Sequence, residues 1–370
     1  MKFVYGIGHQ VSVTWFETRN VRAVREAGFA PAAEINLLVG ENGSGKTSVL
    51  EALYILGSGR SFINAQLENV VRRGAAALQV VAKIEEAGRE SVLGVERAIG
   101  AAPVIHLDGV KVDGFATLAE RVPVQVIYPQ SNALVIGGPT HRRRFVDWGV
   151  FHVEHDFMNC WREYQRALSQ RNAALRSVGS VAELSPWDHV LARAGERIAQ
   201  YRDNYVEQLG PYVHAFAGKL FSNETVELQI HRGWAGEFSL HEALGRSFER
   251  DRRAVTTSVG PHRAELRIRY AGHEARVCAS RGQQKLLVYA LKLAQIEHLW
   301  QTRQRRTLLL LDDLPSELDW RSRTRVFDAL RQIAGQIFMT AIERGQLDSL
   351  LDGLALKVFH VEQGAVSELV

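Results

Sequence analysis

The sequence predicts an α/β protein in which a mostly helical stretch interrupts segments rich in strands. Three observations predict this fold class. A mostly apolar run from Glu34 to Val39 leads into a glycine-rich loop and an amphipathic helix, and a second apolar strand from Thr307 to Leu311 ends in two carboxylates. Between them, the stretch from about His141 to Phe248 shows helical rather than alternating periodicity.

The chain is therefore divided into three segments on the basis of these patterns. We expect residues 1–130 and 255–370 to form one α/β domain and residues 131–254 to form a helical lobe inserted into it. Because about 260 residues separate the glycine-rich loop from the acidic strand end, an insertion of this kind is required for the two to meet.

Bulk composition is that of an ordinary globular protein. Hydrophobic residues make up 46% and charged residues 23% of the 370 positions, which argues against disorder. No apolar run is long enough to span a membrane, the N-terminal residues lack the features of a signal peptide, and Cys160 and Cys278 show no metal-ligand spacing. We expect a cytoplasmic protein with reduced thiols and no membrane partner.

Positive charge is carried mainly by arginine. The net charge is only +4, but 37 of the 45 basic residues are arginines. A planar guanidinium group suits phosphate better than an ammonium group does, so the composition is compatible with a nucleic-acid partner. A genome rich in G and C produces the same bias, and composition leaves the two explanations open.

Local patterns predict individual elements along the chain. Asp108-Gly109 separates two short strands and tolerates the positive φ of a type I′ turn, which predicts a hairpin. Leu266 to Tyr270 alternates and predicts a strand with two arginines on one face. Within the helical stretch, Pro186 and Gly210-Pro211 predict interruptions.

The segment Gly40-Glu41-Asn42-Gly43-Ser44-Gly45-Lys46-Thr47, called the phosphate loop below, matches the pattern G-x-x-x-x-G-K-[ST]. Glycines let backbone N–H groups approach phosphates, and the helix that follows adds a positive dipole. Lys46 would bridge the β- and γ-phosphates, and the Thr47 hydroxyl would ligate Mg²⁺. We expect the helix after the loop to end at Gly57. The alternative to a phosphate-binding loop is a glycine turn that happens to precede a helix. The apolar strand before the loop favours ATP binding.

Asp312 and Asp313 follow the second apolar strand directly. Ligands of open α/β sheets bind at the carboxyl ends of strands. We therefore predict that Asp312 holds Mg²⁺ and that Asp313 polarises the attacking water as a general base. A strand end with two solvated acids is the alternative.

Ser280-Arg281-Gly282-Gln283 opens a strongly apolar helix that precedes this strand. A serine, a glycine and an amide at a helix start can bind an anion, although an ordinary capped helix has the same pattern. The segment resembles the signature motif of ABC ATPases, which binds the γ-phosphate held by a second subunit. Ser316-Glu317-Leu318-Asp319 resembles the D-loop of that class. Gln130 stands at the position resembling the Q-loop, where it could ligate Mg²⁺ or orient water.

Several runs together resemble the RecF family, and they occur in family order from about residue 35 onward. They are Val39–Ala52, Gly57–Phe62, Arg142–Gly149, Gln170–Arg176, Gly260–Arg263, the segment from Ser280, and Asp312–Asp319. The resemblance implies an ABC-type P-loop ATPase head interrupted by a mostly helical second lobe. It also implies ATP and Mg²⁺ as cofactors, a weak DNA-stimulated ATPase, and an ATP-dependent homodimer on DNA at single-strand gaps. Finally, the resemblance implies a role in DNA repair and replication, in which the protein acts with RecR and RecO to help load RecA.

The run His141-Arg142-Arg143-Arg144 is a candidate DNA contact, with packing against Asp147 as the alternative. Three other functions remain open for a chain with these motifs. One is a clamp that uses ATP only as a switch and hardly hydrolyses it. A transporter ATPase subunit would share the motifs but would not need the long helical insertion. A nuclease-associated ATPase would need a further acidic metal-binding domain, for which the chain has no room.

Overall fold

The structure is a computed structural model that describes residues 11–64, 66–86, 88–177, 181–221, 224–314, 318–333, 335–351 and 354–369. In chain order its elements are β1 (Ser12–Val21), β2 (Val24–Phe29), β3 (Ile35–Val39), α1 (Lys46–Ser58), β4 (Ala77–Glu86), β5 (Arg89–Ala98), β6 (Val104–Leu107), β7 (Val110–Lys111), α2 (Phe115–Arg121), β8 (Val124–Ile127), α3 (Ala133–Ile136), α4 (Pro139–Val153), α5 (Phe157–Arg176), α6 (Val181–Leu220), β9 (Val226–His231), α7 (Leu240–Ala254), β10 (Glu265–Tyr270), β11 (His273–Glu274), α8 (Ala275–Cys278), α9 (Arg281–Arg303), β12 (Thr307–Leu311), α10 (Trp320–Leu330), β13 (Gly335–Ala341), α11 (Asp348–Leu351), β14 (Leu356–Glu362) and β15 (Ala365–Leu369).

The chain divides into two compact units, one of residues 1–131 with 299–370 and the other of residues 132–298. The first division lies one residue beyond the boundary drawn from the sequence. The second falls inside α9 rather than at residue 255, and this corrects the sequence-based boundary. The reason is that β9 packs on α6 and pairs with β10, so the small sheet belongs to the helical unit.

The first unit contains two sheets with α1 packed against both. One is antiparallel, in the order β2-β1-β4-β5-β6-β7, and the other has the order β15-β14-β3-β13-β12-β8. In the second sheet the strands from β14 to β8 are parallel. Leu50 and Leu53 of α1 are completely buried and share one core with Phe16 of β1 and Phe338 of β13. The residues of β3 and β12 are buried throughout, as expected for parallel strands covered on both faces.

The second unit combines α4 to α7 with a three-stranded sheet in the order β11-β10-β9. Helix α6 runs through Pro186 and Pro211 without interruption, so the predicted breaks were wrong. An internal proline costs a helix roughly 3 kcal/mol. Tertiary packing of α6 offsets this cost, because residues on either side of Pro211, such as Leu209 and Val213, are completely buried.

Asp108 and Gly109 both have positive φ, which confirms the hairpin turn between β6 and β7. Arg267 and Arg269 of β10 are both exposed, as the alternation predicted. Helix α1 passes Gly57, where a Cβ atom would lie 2.4 Å from the Val122 carbonyl oxygen, and ends at the left-handed Gly59. Among the described helices, none combines the length and apolarity needed to cross a bilayer.

Candidate nucleotide-binding site

The phosphate loop leaves the sheet at the carboxyl end of β3, which lies between β14 and β13. Gly43 and Gly45 have φ of 83° and 112°, values that favour glycine. At Gly40, a Cβ atom would lie 2.2 Å from the Val361 carbonyl oxygen of β14. No described side chain caps α1, so the N–H groups of its first turn can donate to a phosphate.

Lys46 lies along the loop at the start of α1. Its Nζ donates hydrogen bonds to the carbonyl oxygens of Gly40 and Glu41 at 2.6 and 2.8 Å. Burial lowers the pKa of Lys46, and the nearby Asp312 and Asp313 carboxylates oppose that shift. The predicted lysine therefore interacts electrostatically with both predicted acids.

The Asp312 carboxylate accepts hydrogen bonds from two hydroxyl groups on neighbouring elements. Thr47 Oγ1 lies 3.0 Å from each Asp312 carboxylate oxygen, and Thr340 Oγ1 of β13 donates to Oδ1 at 2.9 Å. Burial raises the pKa of Asp312, while both hydroxyl groups act against that shift. Hydroxyl and carboxylate oxygens are the ligands Mg²⁺ prefers, so Thr47 and Asp312 fit the predicted metal.

Asp313 is half-buried and has a left-handed backbone with φ of 58°. Its backbone N–H donates to Thr340 Oγ1 at 2.8 Å. Sequence reasoning missed Thr340, since a threonine within an apolar strand carries no motif and only the sheet order brings it beside the acids.

Gln130 lies in a 3₁₀ turn, Pro129–Asn132, that follows β8, and its side chain is exposed. Asp312 N–H donates to the Ile127 carbonyl oxygen at the end of β8 at 2.9 Å. The segment that carries Gln130 therefore starts at the same sheet edge as the acids.

Two further contacts, both missed from the sequence, support the phosphate loop. Glu51 of α1 is completely buried, and it accepts hydrogen bonds from the Arg22 guanidinium, with Nη2 at 3.0 Å, and from the Ser61 hydroxyl. In the turn between β14 and β15, Gly364 N–H donates to the Ser44 carbonyl oxygen at 2.8 Å. These partners lie too far apart in sequence to form a recognisable spacing.

The signature segment lies in the second unit and begins α9. Ser280 and Gln283 cap the helix reciprocally, with Ser280 N–H to Gln283 Oε1 at 2.8 Å and Gln283 N–H to Ser280 Oγ at 3.3 Å. Ser280, Arg281 and Gly282 are exposed. A Cβ atom at Gly282 would meet no atom within 4 Å, so local packing does not require a glycine there.

Of the two predicted D-loop residues, Ser316 and Asp319, the structure describes Asp319. Ser316 lies outside the described residues. Asp319 is the N-cap of α10 and accepts from Ser322 N–H at 3.0 Å and from Ser322 Oγ at 2.7 Å. These hydrogen bonds lower the pKa of Asp319.

The three predicted DNA-contacting arginines of α4 have different environments. Arg142 is buried and binds Glu265 through two nitrogens, at 2.7 and 3.0 Å, so a DNA contact by Arg142 is not compatible with the structure. Arg143 is half-buried and donates to the Ala264 carbonyl oxygen at 3.0 Å, and Arg144 is exposed. Asp147, the alternative partner, acts electrostatically on Arg143 but forms no ion pair with these three arginines within the described residues.

Asp147 instead binds Arg202 of α6, at 2.8 and 3.0 Å, within a network around the run Gly260–Arg263. Arg202 also donates to the Pro261 carbonyl oxygen at 2.7 Å. His262 accepts a 2.6 Å hydrogen bond from Tyr164 at Nδ1 if Nε2–H donates to the Thr257 carbonyl oxygen, 3.0 Å away. Burial lowers the pKa of His262 to about 4.

The parallel sheet, the phosphate loop and the acidic strand end beside it define a P-loop ATPase head of the ABC type. Residues 12–367 match the family model described as RecF/RecN/SMC N terminal domain. The chain is 38% identical over 358 residues to "DNA replication and repair protein RecF" of Edwardsiella ictaluri, which covers 96% of this chain and 100% of that protein. It is 41% identical over 362 residues to the protein of that name from Pseudomonas fluorescens (strain Pf-5), covering 97% of each. The chain belongs to the RecF family.

Solved structures show the same fold. A structure of the recombination mediator protein RecF with ATP superimposes with a TM-score of 0.88 at 24% identity, covering 100% of both chains. The Smc head domain from Pyrococcus furiosus superimposes with a TM-score of 0.58 at 13% identity, covering 97% of this chain and 96% of that one.

Proposed function

We propose that the chain is an ATP-dependent DNA-binding protein of recombinational repair and replication-fork maintenance. It binds single-strand gap and duplex junctions as an ATP-closed dimer and assists RecA loading together with RecR and RecO. The observation that carries this proposal is the contact of Thr47 with Asp312 beside Lys46. This contact brings the phosphate loop next to a carboxylate that is suited to bind Mg²⁺. The similarity to DNA replication and repair proteins of the RecF family supports the role in repair.

ATP hydrolysis is assigned to the same residues. Lys46 holds the β- and γ-phosphates, and Thr47 and Asp312 hold Mg²⁺, which neutralises charge on the phosphates. Asp313 orients the attacking water and accepts its proton. Aspartate is one methylene shorter than glutamate and therefore reaches the water less well, so hydrolysis is weak and ATP acts mainly as a dimerisation switch.

The dimer is assigned to the exposed start of α9. Ser280 and Gly282 bind the γ-phosphate held by Lys46 of a second chain, which makes ATP part of the interface. Exposure of Ser280 and the free space around Gly282 support this assignment. D-loop residues Ser316 and Asp319 and the Q-loop residue Gln130 complete the proposed site.

DNA contact is assigned to Arg143 and Arg144 of the predicted run, joined by Arg263. Arg142 is neutralised by Glu265 and Arg202 by Asp147, whereas neither Arg143 nor Arg263 forms an ion pair within the described residues. Arg263 is exposed and is tethered to the Thr257 carbonyl oxygen at 3.2 Å. Arg143 and Arg263 act electrostatically on each other, and the acids near Arg143, Glu265 and Asp147, form their ion pairs with Arg142 and Arg202 instead. Two guanidinium groups placed in this way suit a phosphodiester backbone.

The test is ATPase activity with and without gapped DNA, with DNA nicking followed in the same samples. We expect slow hydrolysis that gapped DNA stimulates and intact DNA throughout. Nicking would favour a nuclease-associated ATPase. Hydrolysis by a protein that binds no DNA in any nucleotide state would reject the proposal and favour a transporter-type subunit.

A further inference from the structure

Thr340 of β13 contacts both predicted acids with one hydroxyl group. The side chain is 1% exposed. Its Oγ1 donates to Asp312 Oδ1 at 2.9 Å and accepts from Asp313 N–H at 2.8 Å. A hydroxyl group has a single proton, so these two hydrogen bonds fix its direction and its role as donor to one acid and acceptor from the next.

The two contacts act on different features of the site. The first orients the Asp312 carboxylate from β13, while Thr47 approaches the same carboxylate from α1. The second stabilises a backbone conformation at Asp313 that residues with a side chain rarely adopt, with φ of 58°. The direction of the Asp313 side chain follows from that φ.

We propose that Thr340 is a positioning residue of the ATPase site, which aligns the Asp312 carboxylate for Mg²⁺ and the Asp313 carboxylate for water through one hydroxyl. The inference rests on the proposed ATPase function, because it assigns a role in that reaction. The hydroxyl is not needed to build the strand, since β13 is held by backbone pairing to β3 and β12 on its two sides. Valine has the same shape and would leave that pairing intact.

The chain provides a matched control at the other end of the neighbouring strand. Thr307 begins β12 and is also 1% exposed, and its Oγ1 has no hydrogen-bond partner among the described residues. Replacing Thr307 by valine therefore makes the same chemical change in the same sheet without touching the acids.

The experiment compares Thr340→Val, Thr340→Ser and Thr307→Val with the unmodified chain. Steady-state kcat and KM for ATP are measured with gapped DNA, and the Mg²⁺ concentration for half-maximal binding of a fluorescent ATP analogue is measured separately. We expect Thr340→Val to lower kcat about tenfold or more, the effect of losing a hydrogen bond to a charged group. Its KM should change little and its Mg²⁺ midpoint should rise, while Thr340→Ser and Thr307→Val should match the unmodified chain.

Unchanged kcat and Mg²⁺ midpoint in Thr340→Val would overturn the inference, and so would an equal loss in Thr307→Val. Should valine prevent folding, as judged by the unfolding temperature, Thr340→Ala provides the second variant without a hydroxyl. An unmodified chain that binds ATP but never hydrolyses it would reject the proposed ATPase. The Mg²⁺ midpoint would then still decide the role of Thr340.

Discussion

Thr47 and Asp312 are 265 positions apart, yet the Thr47 hydroxyl lies 3.0 Å from both Asp312 carboxylate oxygens. The contact exists because β3 and β12 end at the same edge of one parallel sheet, separated only by β13. It places the start of α1 and the acidic strand end within reach of one bound phosphate group.

Lys46→Ala should lose most of the affinity for ATP while the fold is retained. The ammonium group supplies positive charge to the β- and γ-phosphates, and the loop keeps its glycine geometry without it. Isothermal titration with ATP measures the affinity, and the unfolding temperature measures the fold. Lys83→Ala, which removes an exposed lysine paired with Glu90, is the control. ATP binding by Lys46→Ala at full strength would place the nucleotide elsewhere.

Asp313→Asn should bind ATP, lose hydrolysis and remain a dimer in ATP. Because aspartate reaches the water poorly, the unmodified chain should turn over at roughly 1 per second or less, the low end of enzyme rates. Phosphate release with several DNA structures provides the measurement. A rate of hundreds per second on any of them contradicts this assignment of slow chemistry.

Ser280→Arg should still bind ATP as a monomer but should lose both ATP-dependent dimerisation and the ATP-dependent part of DNA binding. A bulky cation would occupy the position where the start of α9 meets the phosphate of the second chain. Sedimentation with and without ATP, together with DNA titrations at two salt concentrations, tests this. Ser239→Arg is the matched control, because Ser239 caps α7 in the same unit through a similar pair with Glu242. Normal dimerisation of Ser280→Arg would leave Ser280 as a helix cap only.

The arginines near α4 should separate into a structural and a DNA-binding class. Arg142→Gln should destabilise the fold by about 2 kcal/mol, because it removes the hydrogen bonds between a buried guanidinium group and the partly exposed Glu265 carboxylate. The double variant Arg143→Gln with Arg263→Gln should keep its stability and weaken DNA binding with a smaller salt dependence. Denaturant unfolding and DNA titrations distinguish the two outcomes. DNA affinity unchanged in the double variant would move the contact to other arginines.

His262 should make stability depend on pH below neutrality. Its folded-state pKa of about 4 lies below the ordinary value of 6.5, so the unfolded chain binds the proton more readily. The contribution of His262 to the free energy of unfolding is therefore fully present above pH 6.5. It is lost as the pH falls toward 4, and the loss amounts to about 3 kcal/mol. Urea unfolding at several pH values measures the decline. His262→Gln should flatten it, whereas His241→Gln, at an exposed site of the same unit, should not.

The sequence predicted those parts of the site that follow from local spacing. The phosphate loop requires glycines at fixed positions before a helix, and the two acids directly follow an apolar strand, so both can be found without the fold. Thr340 and Glu51 could not be found in this way. Their roles depend on which strands are neighbours in the sheet and on a partner such as Arg22 that is distant in the chain.

Burial explains the sequence predictions that the structure corrected. A run of three arginines has the same charge whether it faces water or a carboxylate, and the sequence does not show that Arg142 meets Glu265. The prolines of α6 and the end of α1 at Gly59 depend similarly on packing. Position 57 requires glycine because a Cβ atom there would collide with the Val122 carbonyl group. The helix continues past this position.

The position of β3 in its sheet has a consequence for synthesis on the ribosome. β3 and the phosphate loop are made early, but the strands that pair with both edges of β3, namely β13 and β14, follow about 300 residues later. At usual elongation rates the delay is on the order of tens of seconds. During that time an apolar strand with two unpaired edges is a ready template for aggregation. Folding of this unit therefore has to be largely post-translational, and a nascent chain is expected to need protection by a chaperone before it can bind any nucleotide.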